Sequence, residues 1–83
     1  MNYPKPMTLA EFKTQMLLLG WSIQPESIPK SFRCNKDDAV IVWRNNKHGR
    51  FTFRFHCNRT GHGGEIYTPN RMLDRVKNGF EPI

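Results

Sequence analysis

The chain is short of acid. Seven Asp and Glu stand against thirteen Lys and Arg in 83 residues, a net charge of +6. Apolar residues are also scarce, at 37% of the chain, below the usual globular share. The longest apolar run, Ala39 to Trp43, is only five residues, and Met16 to Leu19 is one helical turn, so no transmembrane helix is expected and no membrane partner. The opening Met-Asn-Tyr-Pro-Lys-Pro lacks the apolar stretch of a secretion signal. A cytoplasmic location is therefore expected (host cytoplasm if the source is viral), with reduced thiols. Cysteine is limited to Cys34 and Cys57, and neither a Cys-x-x-Cys nor a His-x-x-x-His pair occurs. His56 and Cys57 are neighbours that a strand points to opposite faces, so they make a poor zinc set with Cys34 and His62. No metal or other cofactor is expected, and both cysteines read as small core residues. Repeats and low-complexity tracts are absent.

What the chain does have is concentrated charge and concentrated aromatics. Lys30, Arg33, Lys36, Arg44, Lys47, Arg50, Arg54 and Arg59 face only Asp37 and Asp38 between residues 30 and 59, which accounts for the whole net charge of +6. Aromatic residues are 12% of the chain and supply large buried area per residue. Eighty-three residues make a single domain near the size where one core barely suffices. Self-association into a homodimer is one way to reinforce it.

Local patterns predict the elements. Residues 1–7, with Pro4 and Pro6, read as an arm, followed by one domain over 8–83. Thr8-Leu9-Ala10-Glu11 is a capping box, with Met7 and Phe12 at the two positions of a hydrophobic staple. Leu9, Phe12, Met16 and Leu19 form the apolar stripe of a helix over 9–19. Gly20 supplies its left-handed end and Trp21 the apolar residue beyond. Trp21 to Lys30, with Pro25 and Pro29, should run extended with a turn. A short first strand fits Ser31 to Asn35. Ala39–Arg44 and Arg50–Cys57 predict a hairpin around Asn45–Gly49. In its second strand Phe51, Phe53, Phe55 and Cys57 face one way, and Arg50, Thr52, Arg54 and His56 the other. Either Ile41 and Trp43 or Val40 and Val42 can accompany the phenylalanines, because both faces of that partner strand are apolar. Asn58 to Gly64 reads as a loop and Glu65–Tyr67 as a further short edge strand. Thr68-Pro69 then opens a second helix carrying Met72, Leu73 and Val76, which Gly79 and Phe80 close. The expected fold is α+β: a small antiparallel three-stranded sheet with two helices on one face, in α-β-β-β-α order.

Helices over the phenylalanine face would leave Arg50, Arg54 and His56 open to solvent. With Arg44 and Lys47 they form a candidate polyanion surface, joined by Arg33 and Lys36. Arg59 and His62 sit in a glycine loop that reads either as a phosphate cradle or as a plain turn. Trp43 reads as a base-stacking platform if exposed and as core if covered. Nucleic acid is the leading partner, RNA over DNA. An acidic protein is the competitor within the same electrostatics. A metal-free ribonuclease is a third reading, built on His48, His56 and His62, but the spacing shows no positioned acid–base pair and no catalytic residue is expected.

Two families bear a likeness. The element order, with Gly20-Trp21 closing the first helix, resembles the dsRBD-like fold of the HicA toxin ribonucleases. Where that family carries a catalytic His in Gly-Ser-His-His, this chain reads Pro-Lys-Ser-Phe-Arg-Cys34, so the likeness implies RNA binding without the catalytic residue. In size and in the Lys30–Arg59 charge run the chain also resembles small accessory proteins of T-even-like bacteriophages, of the toxin-inhibitory factor type. That resemblance implies a non-catalytic inhibitor of a host endoribonuclease toxin, acting with bound RNA.

Overall fold

Both helices are set by chemistry at their ends. A computed structural model describes residues 6–81. In α1 (Leu9–Leu18), Thr8 Oγ1 accepts the Glu11 N–H at 3.1 Å while Glu11 Oε1 accepts the Thr8 N–H at 3.3 Å. This capping box satisfies donors that a helix start otherwise leaves bare. At the other end Gly20 takes φ +90°, Gly20 N–H donates to Leu17 O, and Trp21 N–H donates to Met16 O. In α2 (Pro69–Lys77), the Thr68 hydroxyl accepts from the Arg71 N–H, and Gly79 repeats the left-handed end with φ +69°. There Phe80 N–H donates to Arg75 O and Gly79 N–H to Val76 O. Both are Schellman ends, which fold the next apolar residue back onto the helix. Those residues, Trp21 and Phe80, meet with ring centroids 5.9 Å apart. The two helix C-termini therefore lie side by side.

Between the helices run β1 (Ser22–Pro25), β2 (Phe32–Lys36), β3 (Ala39–Asn45), β4 (Phe51–Cys57) and β5 (Gly63–Ile66). They form one antiparallel sheet in chain order. The α+β class is as expected, but the sheet has five strands rather than three. β1 was expected only as extended chain; it pairs with β2 from Ser22↔Asn35 to Pro25↔Phe32. Pro25 fits because an edge strand has an N–H side with no ladder to supply. β5 begins at Gly63, two residues before the expected Glu65, and ends one residue before the expected Tyr67. A Cβ on Gly63 would stand 2.9 Å from Phe55 O and 3.2 Å from His56 Nδ1, so glycine here permits close pairing rather than breaking the strand.

Strand register settles which face is core. Phe32, Trp43, Phe53 and Ile66 lie in one cross-strand row, and Cys34, Ile41, Phe55 and Gly64 in the next. Both helices cover this side. Phe12 approaches Phe53 at 4.8 Å and Phe32 at 6.4 Å, Phe80 approaches Phe55 at 5.8 Å, and Met16, Met72 and Leu73 fill the remainder. Trp43 is half-buried on this inner face, stacked on Phe51 at 5.6 Å. It belongs to the core margin and not to an exposed stacking platform. Cys34 and Cys57 are buried free thiols, and burial, against a weaker pull from Lys13, pushes Cys34 up to about 11. Among the described residues no helix is long and apolar enough to cross a membrane.

Phe53 is fully buried at the centre of the aromatic cluster, so Phe53→Ala is expected to cost about 3–5 kcal/mol. Thr8→Ala, which removes only the cap, should cost about 1 kcal/mol. Urea unfolding of both variants checks this; equal losses would place the centre of the core elsewhere.

Candidate nucleic-acid interface

The side of the sheet away from the helices carries most of the expected residues, because side chains alternate along each strand. One cross-strand row reads Gln24, Arg33, Val42, Arg54, Glu65; the next reads Ser22, Asn35, Val40, His56, Gly63; a third holds Arg44 and Thr52. Arg50 precedes β4 with the same parity, and its guanidinium lies 4.7 Å from the Tyr67 ring centre. Lys47 is exposed at the tip of the β3–β4 turn. That turn is closed by Asn46 Oδ1, which accepts the N–H groups of His48 and Arg50 at 2.8 and 3.1 Å.

Two of the four arginines meet carboxylates. Arg33 Nε is 3.3 Å from Glu26 Oε1, and Arg54 Nε is 3.8 Å from Glu65 Oε2. Both pairs are solvent-exposed, a setting in which an ion pair is worth about 0–1 kcal/mol. A multivalent anion can therefore compete for the same guanidiniums. Among the described residues no ion pair joins Arg44 or Arg50 to an acid. The face keeps a cationic excess, smaller than the sequence alone suggests.

Glu65, on the edge strand β5, organises one side of this surface. Its carboxylate accepts the Thr52 hydroxyl at 2.9 Å and the Tyr67 hydroxyl at 3.1 Å. Thr52 is on the open side yet only 1% exposed. The Thr52 hydrogen bond, opposed by partial desolvation and assisted by Tyr67 and Arg54, holds the Glu65 carboxyl below its ordinary range. Beside it, Arg54, Phe55, His56, Gly63, Gly64 and Glu65 line a shallow depression of about 430 Å³. Neither Glu65 nor Tyr67 was singled out from the sequence. They reach Arg54 and Thr52 only through the pairing of β4 with β5.

Three expected site residues lie elsewhere. Lys36 has inner-face parity, opposite Ala39, and its Nζ donates to Leu19 O at 2.6 Å. An Arg59 N–H donates to Gly79 O at 3.3 Å. His62 Nδ1 lies 3.0 Å from Phe80 O and 3.9 Å from Glu81. All three serve carbonyls at or just beyond helix C-termini, where the macrodipole is negative. The loop between β4 and β5 is closed on itself: Cys57 N–H donates to His62 O, Asn58 N–H to Asp38 O, Gly61 N–H to Cys57 O, and His62 N–H to Thr60 Oγ1. These bonds give the loop the closed shape of a turn. Around Cys57, burial pushes the thiol up, but the Thr60 backbone and hydroxyl, with Arg59, pull it below its ordinary value. Among the described residues no three His, Cys, Asp or Glu side chains converge as a metal site.

Comparison with protein-family models, with curated proteins and with solved structures finds no match.

A depressed acid stabilises the fold above its unfolded-state value and loses that contribution as pH falls through the folded-state value. Wild-type stability is therefore expected to drop from about pH 4.3 downward more steeply than that of Glu65→Gln. Urea midpoints between pH 5 and 3 test this, and parallel curves would remove Glu65 as the cause.

Proposed function

We propose that the open sheet face binds nucleic acid, RNA before DNA, by electrostatic capture and without catalysis. One observation carries the reading: Arg33, Arg44, Arg50, Arg54 and His56, spread over twenty-four residues of chain, are gathered on the side that no helix covers. Cations ranged across one surface release counterions from a phosphate backbone, which is the main source of affinity for such a ligand. Binding without turnover is supported by the engagement of two of the acid–base groups. Glu65 is held by Thr52, Tyr67 and Arg54, and His62 by the Phe80 carbonyl. The wider role we attach is that of a phage-type accessory protein in the host cytoplasm, inhibiting a ribonuclease toxin together with bound RNA. An acidic protein docked on the same arginines is the competing reading, and a complex that survives nuclease treatment would favour it.

A salt titration of labelled RNA by fluorescence anisotropy tests the proposal. Log affinity should fall linearly with log salt, and Arg44→Ala/Arg54→Ala should lower that slope by about 1.4–1.8. Glu65→Gln, which releases Arg54, should bind more tightly than wild type. A flat salt response, or a double variant with unchanged affinity, would overturn the reading.

A further inference from the structure

The open face is not uniformly cationic, and its apolar parts bear on what form of nucleic acid it takes. Val40 and Val42 lie at its centre, half-buried, with Asn35 and Arg33 across one strand boundary and His56 and Arg54 across the other. Tyr67 stands at one side of the same surface, 45% exposed. Its ring is held at two points. The hydroxyl donates to Glu65 Oε1 at 3.1 Å, and the Arg50 guanidinium lies 4.7 Å from the ring centre. Such a ring has already lost the freedom that binding would otherwise remove.

A duplex shows a surface like this little but phosphate, because its bases are stacked on one another. Valines and a fixed tyrosine contribute nothing to neutralising phosphate. An unpaired strand is different: its bases expose π-faces that stack on aromatic rings and rest on apolar surface, while its backbone keeps the charge. Along each strand the rows of this face are spaced by two residues, about 6.6–6.8 Å, a step suited to successive nucleotides of an extended chain. Arg33 and Arg54 flank Val42 in one row and Arg44 lies in the row beyond, so charge adjoins the apolar positions.

We infer that the ligand is a single-stranded nucleic acid, with one base stacked on Tyr67, another base of the same strand over Val40 and Val42, and phosphates between and beside them on Arg44, Arg54 and Arg33. This rests on the polyanion reading of the same face and narrows it to unpaired nucleotides. Arg50 then positions the Tyr67 ring in addition to supplying charge.

The test compares one fluorescent RNA oligonucleotide, its DNA counterpart and the annealed RNA duplex at equal salt. Wild type is expected to bind the single strands at least about ten-fold more tightly than the duplex. Tyr67→Leu should weaken single-strand binding by about 5- to 150-fold, the range for losing one stacked base, with an unchanged salt slope. Tyr67→Phe, which keeps the ring, should retain most of that affinity, and thermal melting of each variant monitors folding. Equal wild-type affinity for duplex and single strand would overturn this inference and leave the electrostatic reading standing. So would full single-strand affinity in Tyr67→Leu. Absence of binding to all three oligonucleotides would overturn both. A preference between RNA and DNA single strands identifies the sugar and supports the inference in either direction.

Discussion

The register between β3 and β4 is the constraint from which the rest follows. With Trp43 opposite Phe53 and Val42 opposite Arg54, every aromatic of the hairpin turns toward α1 and α2 and every arginine turns away. A slip of one residue would send one strand's side chains to the wrong side. Arg54 and His56 would enter the core while Phe53 and Phe55 met water. Burying unpaired charge costs several kcal/mol per group, against a total stability for such domains of about 5–15 kcal/mol. The alternative register is therefore closed, and the charged face is a consequence of how the phenylalanines pack.

The same packing divides the basic residues into two groups. Those on strands with outward parity (Arg33, Arg44, Arg54) point to solvent. Those near the helix ends are drawn to carbonyls, as Lys36 is to Leu19 and Arg59 to Gly79. Because the two Schellman ends bring both helix C-termini together through Trp21 and Phe80, the accumulated negative dipole attracts cations to that corner. A charge run that is continuous along the chain therefore serves helix termination at one place and an open surface at another.

Elements defined by local chemistry were legible in the sequence. The capping box at Thr8 and Glu11, the glycine ends at Gly20 and Gly79, the Thr68-Pro69 start and the alternation of β4 all appear where residue chemistry places them. β1 was not legible because Pro25 resembles a strand breaker until an edge position excuses its missing N–H. The onset of β5 was hidden because Gly63 and Gly64 resemble a loop until the nearness of Phe55 O shows why no side chain fits at Gly63. Of the candidate site, the arginines of β3 and β4 were readable from parity. Glu65 and Tyr67 were not, since nothing in their own neighbourhood links them to Thr52 and Arg54.

Composition and periodicity alone determined that the chain makes an α+β domain with a phenylalanine core and an excess of cations in its middle third. These are properties of residues and of their near neighbours, so they need no knowledge of the whole. Which face Trp43 and the valines take, which cations stay with the open face, and that Glu65 and Tyr67 join it were decided only by tertiary structure. Each depends on strands that meet across a turn or loop, and the hydrogen-bond register that aligns them is chosen by burial in the assembled core.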